Sequence, residues 1–205
     1  MTPLLLLLAA PAAQAVDIRW WGIGPGVGTR VVPLAYPVYP KQAKDAGFGQ
    51  VEGNVEFSVR AVAYAGKVGR VALRGGLGGN LDTWGSQEFT VGWDQLLVRD
   101  GDVQLLFGGG IGVGHERTYE AEGEAGAYWD VQYFPLRAAI AGLVRDRWRG
   151  YELNVWGTWH IVGEQELCGV DGECTSPATL SDGLGFYGGL GVEATVFFGS
   201  FFSSK

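Results

Sequence analysis

The sequence has 205 residues, enough for one domain with a full core and little more. Glycine accounts for 35 of them without a Gly-x-y period, which excludes collagen, and the 13% of aromatic residues excludes a disordered chain. The formal net charge of -7 and the acidic pI argue against nucleic-acid binding, which needs a basic surface. Charged residues are only 18%, fewer than in an average soluble domain.

The N-terminal segment 1–15 has the features of a secretory signal peptide. An apolar run begins at Leu4, and Ala13-Gln14-Ala15 matches the A-x-A pattern of a cleavage site, so we expect the mature chain to begin at Val16. No Lys or Arg precedes the run, which departs from the usual pattern, and a buried N-terminal helix is the alternative. We therefore predict a signal peptide over 1–15 and one exported barrel domain over 16–205.

From residue 16 onward apolar and polar residues alternate with a period of two, which is typical of strands with one apolar and one polar face. The sixth strand is expected to be regular only from about Leu136, with Pro135 at its start, where a missing N–H is tolerated. Eight strands are predicted, at 18–32, 51–64, 68–80, 86–98, 103–116, 124–146, 150–162 and 184–198.

The predicted connections alternate in length. Three are tight turns, whereas three others are long and one is intermediate: 65–67, 100–101 and 147–150 are tight, 33–50, 117–135 and 163–183 are long, and 81–85 is intermediate. Short periplasmic turns and long outside loops are typical of outer-membrane barrels. The sequence therefore predicts an all-β fold, a transmembrane antiparallel up-and-down β-barrel of about eight strands, with a soluble barrel such as a lipocalin as the alternative.

The residues on the two faces of each strand indicate which face lines the barrel interior and which meets lipid. In the fifth strand the even-numbered residues 108–114 are all glycine, whereas Phe107, Ile111 and Val113 lie on the other face. Small and charged residues suit the crowded interior of a narrow barrel, so the large apolar residues are expected to face lipid.

Charged residues on the inward faces are predicted to pair as a polar plug, since buried charges need partners. A tight turn at 65–67 predicts that Arg74 lies opposite Ser58, diagonal to Glu56 and Arg60. The face of the first strand is left open, so Arg19 is unassigned. The predicted lumen ion-pair network comprises Glu56, Glu88, Asp94, Glu152 and Glu193 with Arg60, Arg70, Arg74, Arg137 and Arg145.

Together these features resemble small outer-membrane barrels of the OmpA transmembrane-domain, OmpX and OmpW type. The resemblance rests on Ala13-Gln14-Ala15, the eight alternating segments, and a last strand, 185–198, similar to the C-terminal assembly signal of such proteins. It implies location in the Gram-negative outer membrane, contact with its lipids and lipopolysaccharide, and recognition by the barrel-assembly machinery. Family members usually end on an aromatic residue, whereas this chain continues past Phe198 to Lys205.

Tryptophans mark the predicted membrane interfaces, because indoles favour the lipid headgroup level. Trp20, Trp21 and Trp148 lie at the predicted periplasmic rim, and Trp84 and Trp129 lie in predicted outer loops. A sixth tryptophan, Trp156, is predicted to point into the lumen.

The two cysteines, Cys168 and Cys174, are expected to form a local disulfide, because an exported chain meets an oxidising compartment. Zinc would need two further ligands at suitable spacing, and none is nearby in the sequence. No metal site is therefore predicted.

No residue pattern predicts a catalytic site or a cofactor. The glycine runs 22–28 and 108–114 lack the following helix of a phosphate loop, and neither His115 nor His160 has a Ser in register. Acidic residues in 116–124 and 164–182 match no calcium motif and are expected to be solvated.

The leading hypothesis is a non-enzymatic outer-membrane protein with a structural or surface-interaction role, whose outer loops would contact a protein partner not identified by the sequence. A narrow porin-like channel or hydrophobic-solute conduit is the first alternative. A lipid A-modifying barrel enzyme that uses one of the two histidines is the second.

Overall fold

The structure is a computed structural model that describes residues 18–31, 54–80, 84–119, 128–146, 148–169, 171–175 and 186–200. The predicted signal peptide over 1–15 lies outside these ranges. Within them, no helix is long and apolar enough to cross a membrane. The strands are β1 (Ile18–Val31), β2 (Asn54–Ala65), β3 (Gly69–Asn80), β4 (Trp84–Asp100), β5 (Val103–Tyr119), β6 (Tyr128–Arg145), β7 (Arg149–Cys168), β8 (Cys174–Thr175) and β9 (Phe186–Ser200).

The strands form one closed antiparallel sheet. From β1 to β7 each strand pairs with the next one along the chain, and β9 pairs with both β7 and β1. The two-residue strand β8 only extends the end of β7. Eight strands, β1–β7 and β9, therefore close an up-and-down barrel, which confirms the predicted fold class.

The two ends of the barrel differ in their connections. At one end, the turn end, β2–β3 and β4–β5 are joined by short turns in which Gly66 and Gly101 have φ values of 60° and 54°. Glycine adopts this left-handed conformation without the steric cost that a side chain would add. The chain segments 32–53, 81–83, 120–127 and 176–185 connect strands at the opposite end, the loop end.

The predicted register of the first hairpin was wrong by two residues. Ala65 pairs with Gly69, so three residues form the turn, and Arg74 faces Arg60 instead of Ser58. The error arose because the turn was placed one residue too early in the sequence. As a result, the side chains of Arg60 and Arg74 extend into the lumen from directly paired positions on neighbouring strands.

Three strands extend further toward the loop end than the sequence pattern predicted. β5 continues to Tyr119, β6 begins at Tyr128 rather than near Leu136, and β7 continues to Cys168. The predicted loops 117–135 and 163–183 were therefore too long. The extensions pair with one another, but beyond Phe134 their described outward side chains are polar, so the apolar alternation that marks a lipid-facing strand stops there.

Two prolines lie where the hydrogen-bonded ladder is interrupted. Pro135 was expected at a strand start but lies inside β6, where pairing with β5 stops after Leu136 and resumes at Tyr133. Pro25 lies in a matching gap between β1 and β9. Each proline therefore lies where the ladder to one neighbouring strand is interrupted, as its missing N–H requires.

The outer wall of the barrel is apolar and its interior is charged. Large apolar side chains on every barrel strand are exposed, for example Ile23, Phe57, Ile111 and Leu153. Arginine and glutamate side chains on the alternate positions are almost fully buried. A soluble barrel has the reverse arrangement, so these faces are those of a barrel that meets lipid outside.

A charge placed at the middle of the outer wall tests this arrangement. Ile111 is 62% exposed near the centre of β5, and Ile111→Arg is expected to destabilise the lipid-embedded barrel by about 2–4 kcal/mol. The measurement is urea unfolding in phospholipid vesicles. Val103→Arg, at the turn end of the same strand, is the control and is expected to cost about 0–1 kcal/mol. Equal costs at both positions would contradict a membrane-spanning wall.

Candidate functional site

An apolar cluster fills the lumen at the turn end. Its members are inward residues on the turn-end half of their strands: Val62, Tyr64, Leu106, Ala141, Leu143 and Phe197, with Trp20, Ala72 and Leu96 packed against them. The sequence pattern did not predict this cluster, because large apolar residues were expected to face lipid. We call it the apolar cap.

Trp20 belongs to the apolar cap and not to the membrane interface for which it was predicted. Its ring meets the buried Tyr64 ring edge-on, with 5.8 Å between centroids. The guanidinium groups of Arg99 and Arg145 lie 4.6 and 4.8 Å from the Trp20 ring centroid. The indole is therefore held inside the barrel by an aromatic neighbour and two cations.

Above the apolar cap, two arginines reach across the lumen to acids on other strands. Arg70 on β3 contacts Asp94 at 2.7 Å and Glu152 on β7 at 2.6 Å. Arg60 on β2 also contacts Glu152, and it lies 3.8 Å from Asp94. Because β3 and β7 are separated by four pairings around the ring in either direction, the Arg70–Glu152 pair joins opposite walls of the barrel.

Arg74 forms the next layer of contacts toward the loop end. Its guanidinium lies 2.7 Å from Glu56, 2.8 Å from Glu193 and 3.4 Å from Glu88. Glu193 also lies 3.8 Å from Arg60. Like charges directly opposite repel, so the shared carboxylate of Glu193 offsets the juxtaposition of Arg60 and Arg74.

Two members of the network were missing from the sequence analysis. Arg30 on β1 is fully buried and lies 3.2 Å from Glu56, 3.9 Å from Glu88 and 3.7 Å from Glu116. Glu116, interpreted as a solvated loop residue, is buried in β5. Glu116 lies two residues after the inward Gly114, and Arg30 lies three residues after the outward Val27. Strict alternation along each strand therefore places both side chains inside the barrel.

The remaining two predicted bases stack on tryptophan rings. Arg137 lies 4.3 Å from the Trp156 ring centroid, and Arg145 is the cation already described over Trp20. Within the described residues, no carboxylate lies within 4.0 Å of Arg137. Trp156 itself points inward, as its place in the alternation indicated.

Glycines leave the space that the large inward side chains occupy. A Cβ at Gly114 would collide with the Tyr133 ring, and a Cβ at Gly191 would collide with Trp156. A cavity of about 30 Å³ lies beside Arg60, Arg74 and Arg137, with space for only a few water molecules. At this level the described lumen is therefore filled mainly by side chains.

The two histidines lie on opposite sides of the wall. His160 is buried in the lumen, stacked on Tyr133 with 4.0 Å between ring centroids, and its Nε2 lies 3.9 Å from Glu88. His115 faces outward near the loop end, where its Nε2 lies 2.5 Å from Asp130. Arg117 donates two hydrogen bonds to the same carboxylate, at 2.7 and 3.0 Å.

The predicted disulfide between Cys168 and Cys174 is present and ties β8 to the end of β7. Glu166 lies close to both sulfur atoms, but sulfur atoms joined in a disulfide are not thiolate ligands for a metal. Glu164 is an exposed residue of β7, and Asp171 and Glu173 are exposed beside the disulfide. The acidic residues Glu120, Glu122, Glu124 and Asp182 lie outside the described residues.

Of the other tryptophans predicted at the interfaces, Trp21 and Trp148 are exposed at the turn end. Trp84 and Trp129 occupy backbone positions in β4 and β6 near the loop end, and their side chains lie outside the described part of the structure.

The fold and its two faces define a class: a closed eight-stranded barrel with an apolar outer wall, as in outer-membrane barrels. Among solved structures, the chain is similar to Neisserial surface protein A, with a TM-score of 0.53 over 87% of this chain and 96% of that one. The sequences are 8% identical, so the similarity concerns the fold alone. No family model and no curated protein matches the sequence. The specific resemblance to OmpA, OmpX and OmpW stays a prediction.

Removal of the shared carboxylate tests the energetic role of the network. Glu193→Ala leaves Arg74 and Arg60 with one fewer buried partner each, and we expect a loss of about 3–5 kcal/mol in unfolding free energy. The measurement is the midpoint of urea unfolding in vesicles. Glu164→Ala, an exposed glutamate on β7, is the matched control and is expected to change stability by less than about 0.5 kcal/mol. An unchanged midpoint for Glu193→Ala would contradict a buried network.

Proposed function

We propose that the protein is a non-enzymatic outer-membrane barrel that presents its loop end at the cell surface and has a structural or surface-interaction role. The observation that carries the proposal is the combination of an apolar outer wall with ion pairs that cross the lumen. A barrel of eight strands is only wide enough for side chains to fill its interior. The likeness to a surface protein of the same fold supports the location.

The interior supports a plug rather than a pore. Arg70–Glu152 and Arg30–Glu116 each join strands on opposite walls, at two levels of the barrel. The apolar cap closes the turn end below them. Any ion moving along the axis would have to separate buried charge pairs and then enter an apolar cluster, and both steps are unfavourable in a low dielectric.

The proposed orientation places the turn end in the periplasm, as in other barrels with short periplasmic turns. The segments at the loop end would then contact lipopolysaccharide and a protein partner. Export through the 1–15 signal and assembly by the barrel-assembly machinery, read from the last strand, belong to the same proposal.

The plug predicts that the protein does not conduct. Refolded protein in a planar bilayer is expected to show no steady openings, because the described lumen is crossed by ion pairs at two levels. Heat-modifiable migration on SDS gels checks that the protein has inserted, and a general porin in the same chamber is the positive control. Steady single-channel openings would replace the plug with the narrow channel or hydrophobic-solute conduit.

The non-enzymatic role predicts that neither histidine is needed for lipid modification. His115→Ala and His160→Ala, alone and together, are expected to leave the lipid A profile of the cell unchanged, as read by mass spectrometry. Cells that lack the gene are the comparison. A profile that changes on deletion and fails to recover with His115→Ala would identify an enzyme that uses the His115–Asp130 pair as its general base.

A further inference from the structure

A groove of about 730 Å³ runs across the outer wall in the half of the barrel nearer the loop end. It crosses five neighbouring strands, from β2 to β6. Each of its loop-side residues lies three or four positions from the loop end of its strand: Phe57, Leu77, Gln87, His115 and Gln132. Most of its lining residues face outward, and Glu88 of the lumen network also borders it.

The absence of a side chain at Gly75 deepens the groove. Gly75 points outward from β3, with Val59 and Phe89 beside it on the neighbouring strands. A Cβ at Gly75 would meet nothing within 4 Å, so the wall is recessed by the depth of a side chain at this position. Phe57 and Leu77 form the loop-side rim. The groove is therefore apolar at this position, on the face of the barrel that meets lipid.

The character of the groove changes from β3 to β4. On β2 and β3 its outward residues are apolar, whereas Gln87, His115 and Gln132 stand side by side across β4, β5 and β6. One step nearer the loop end lie Arg117 and Asp130, a hydrogen-bonded pair. Polar outward residues mark the level at which a lipid's headgroup region begins, so the groove extends from hydrocarbon into that region.

We propose that this groove binds one acyl chain of the lipid A part of lipopolysaccharide, with the chain over Gly75 and its polar linkage beside Gln87, His115 and Gln132. The apolar recess is complementary to a hydrocarbon chain. The two amides and the imidazole can both donate and accept hydrogen bonds, as the ester, amide and hydroxyl groups at the head of such chains require. Lipopolysaccharide forms the outer leaflet, the side that the loop end faces.

This inference rests on the proposed function, because it requires the loop end to lie in the outer leaflet. It goes further by assigning the bound lipid to one side of the barrel. The row of polar outward residues ends on β7, where the exposed Glu164 pairs with Gln132. On β9 the described outward residues Leu190 and Val192 are apolar.

The test is native mass spectrometry of the refolded protein in detergent micelles, titrated with hexa-acylated lipid A and, separately, with phosphatidylethanolamine. Gly75→Leu fills the recess without a clash, since the space is open. Gly142→Leu is the matched control, because Gly142 also points outward into open space but lies near the turn end of β6, outside the groove. Heat-modifiable migration in vesicles verifies folding and insertion of each variant.

The wild-type barrel and Gly142→Leu are expected to retain one lipid A with equal affinity, and Gly75→Leu is expected to bind at least tenfold more weakly. Equal binding by Gly75→Leu would overturn the site. Equally tight binding of phosphatidylethanolamine with the same dependence on Gly75 would overturn the assignment to lipopolysaccharide. A wild-type protein that fails to insert into vesicles would overturn the proposed function itself, and that failure is visible on the gel before any lipid is added.

Discussion

Closure of the sheet through the pairing of the first strand, β1, with the last, β9, is the constraint on which the rest of the molecule depends. In hydrocarbon, each unpaired backbone group costs several kcal/mol, so a spanning sheet must satisfy its ladder all the way round. Once the ring is closed, side chains alternate between two unlike surroundings. The outer positions meet lipid and are apolar, whereas the inner positions meet one another across a narrow space. The charged interior and the apolar outer wall are therefore both consequences of closing the sheet into a ring.

The narrow ring also decides what the interior must contain. Arginine spans the lumen because it is long and presents several donors in a fixed geometry, which suits carboxylates on more than one strand. Arg74 uses this reach to contact β2, β4 and β9. Glycine provides the complementary space, as at Gly114 beside Tyr133. A large side chain on one strand lies beside a glycine on a neighbouring strand, so the lumen is filled without widening the barrel.

Much of the fold was predictable because alternation is a local property of the sequence. It placed the eight strands and assigned Arg60, Arg74 and Glu193 to the interior. Register depends instead on the turn: placing the turn at 65–67, one residue before its observed position, shifted the partner of Arg74 by two residues. Alternation also failed where the strands depart from an apolar outer face and a polar inner face. The extension of β6 has Gln132 outside and the apolar Val131 inside, and at the turn end the apolar Trp20 lies on the inner side. The groove at Gly75 depends on side chains from five strands, which no single segment reveals.

The ion pairs between opposite walls have a consequence for assembly. Arg70 is on the third strand and Glu152 on the seventh, so neither finds this partner until the intervening strands are in place. A lone hairpin entering the membrane would carry unpaired guanidinium groups into hydrocarbon at a cost of several kcal/mol. The charges thus favour concerted insertion, in which the sheet curls and closes as it crosses the bilayer, over the addition of one hairpin at a time.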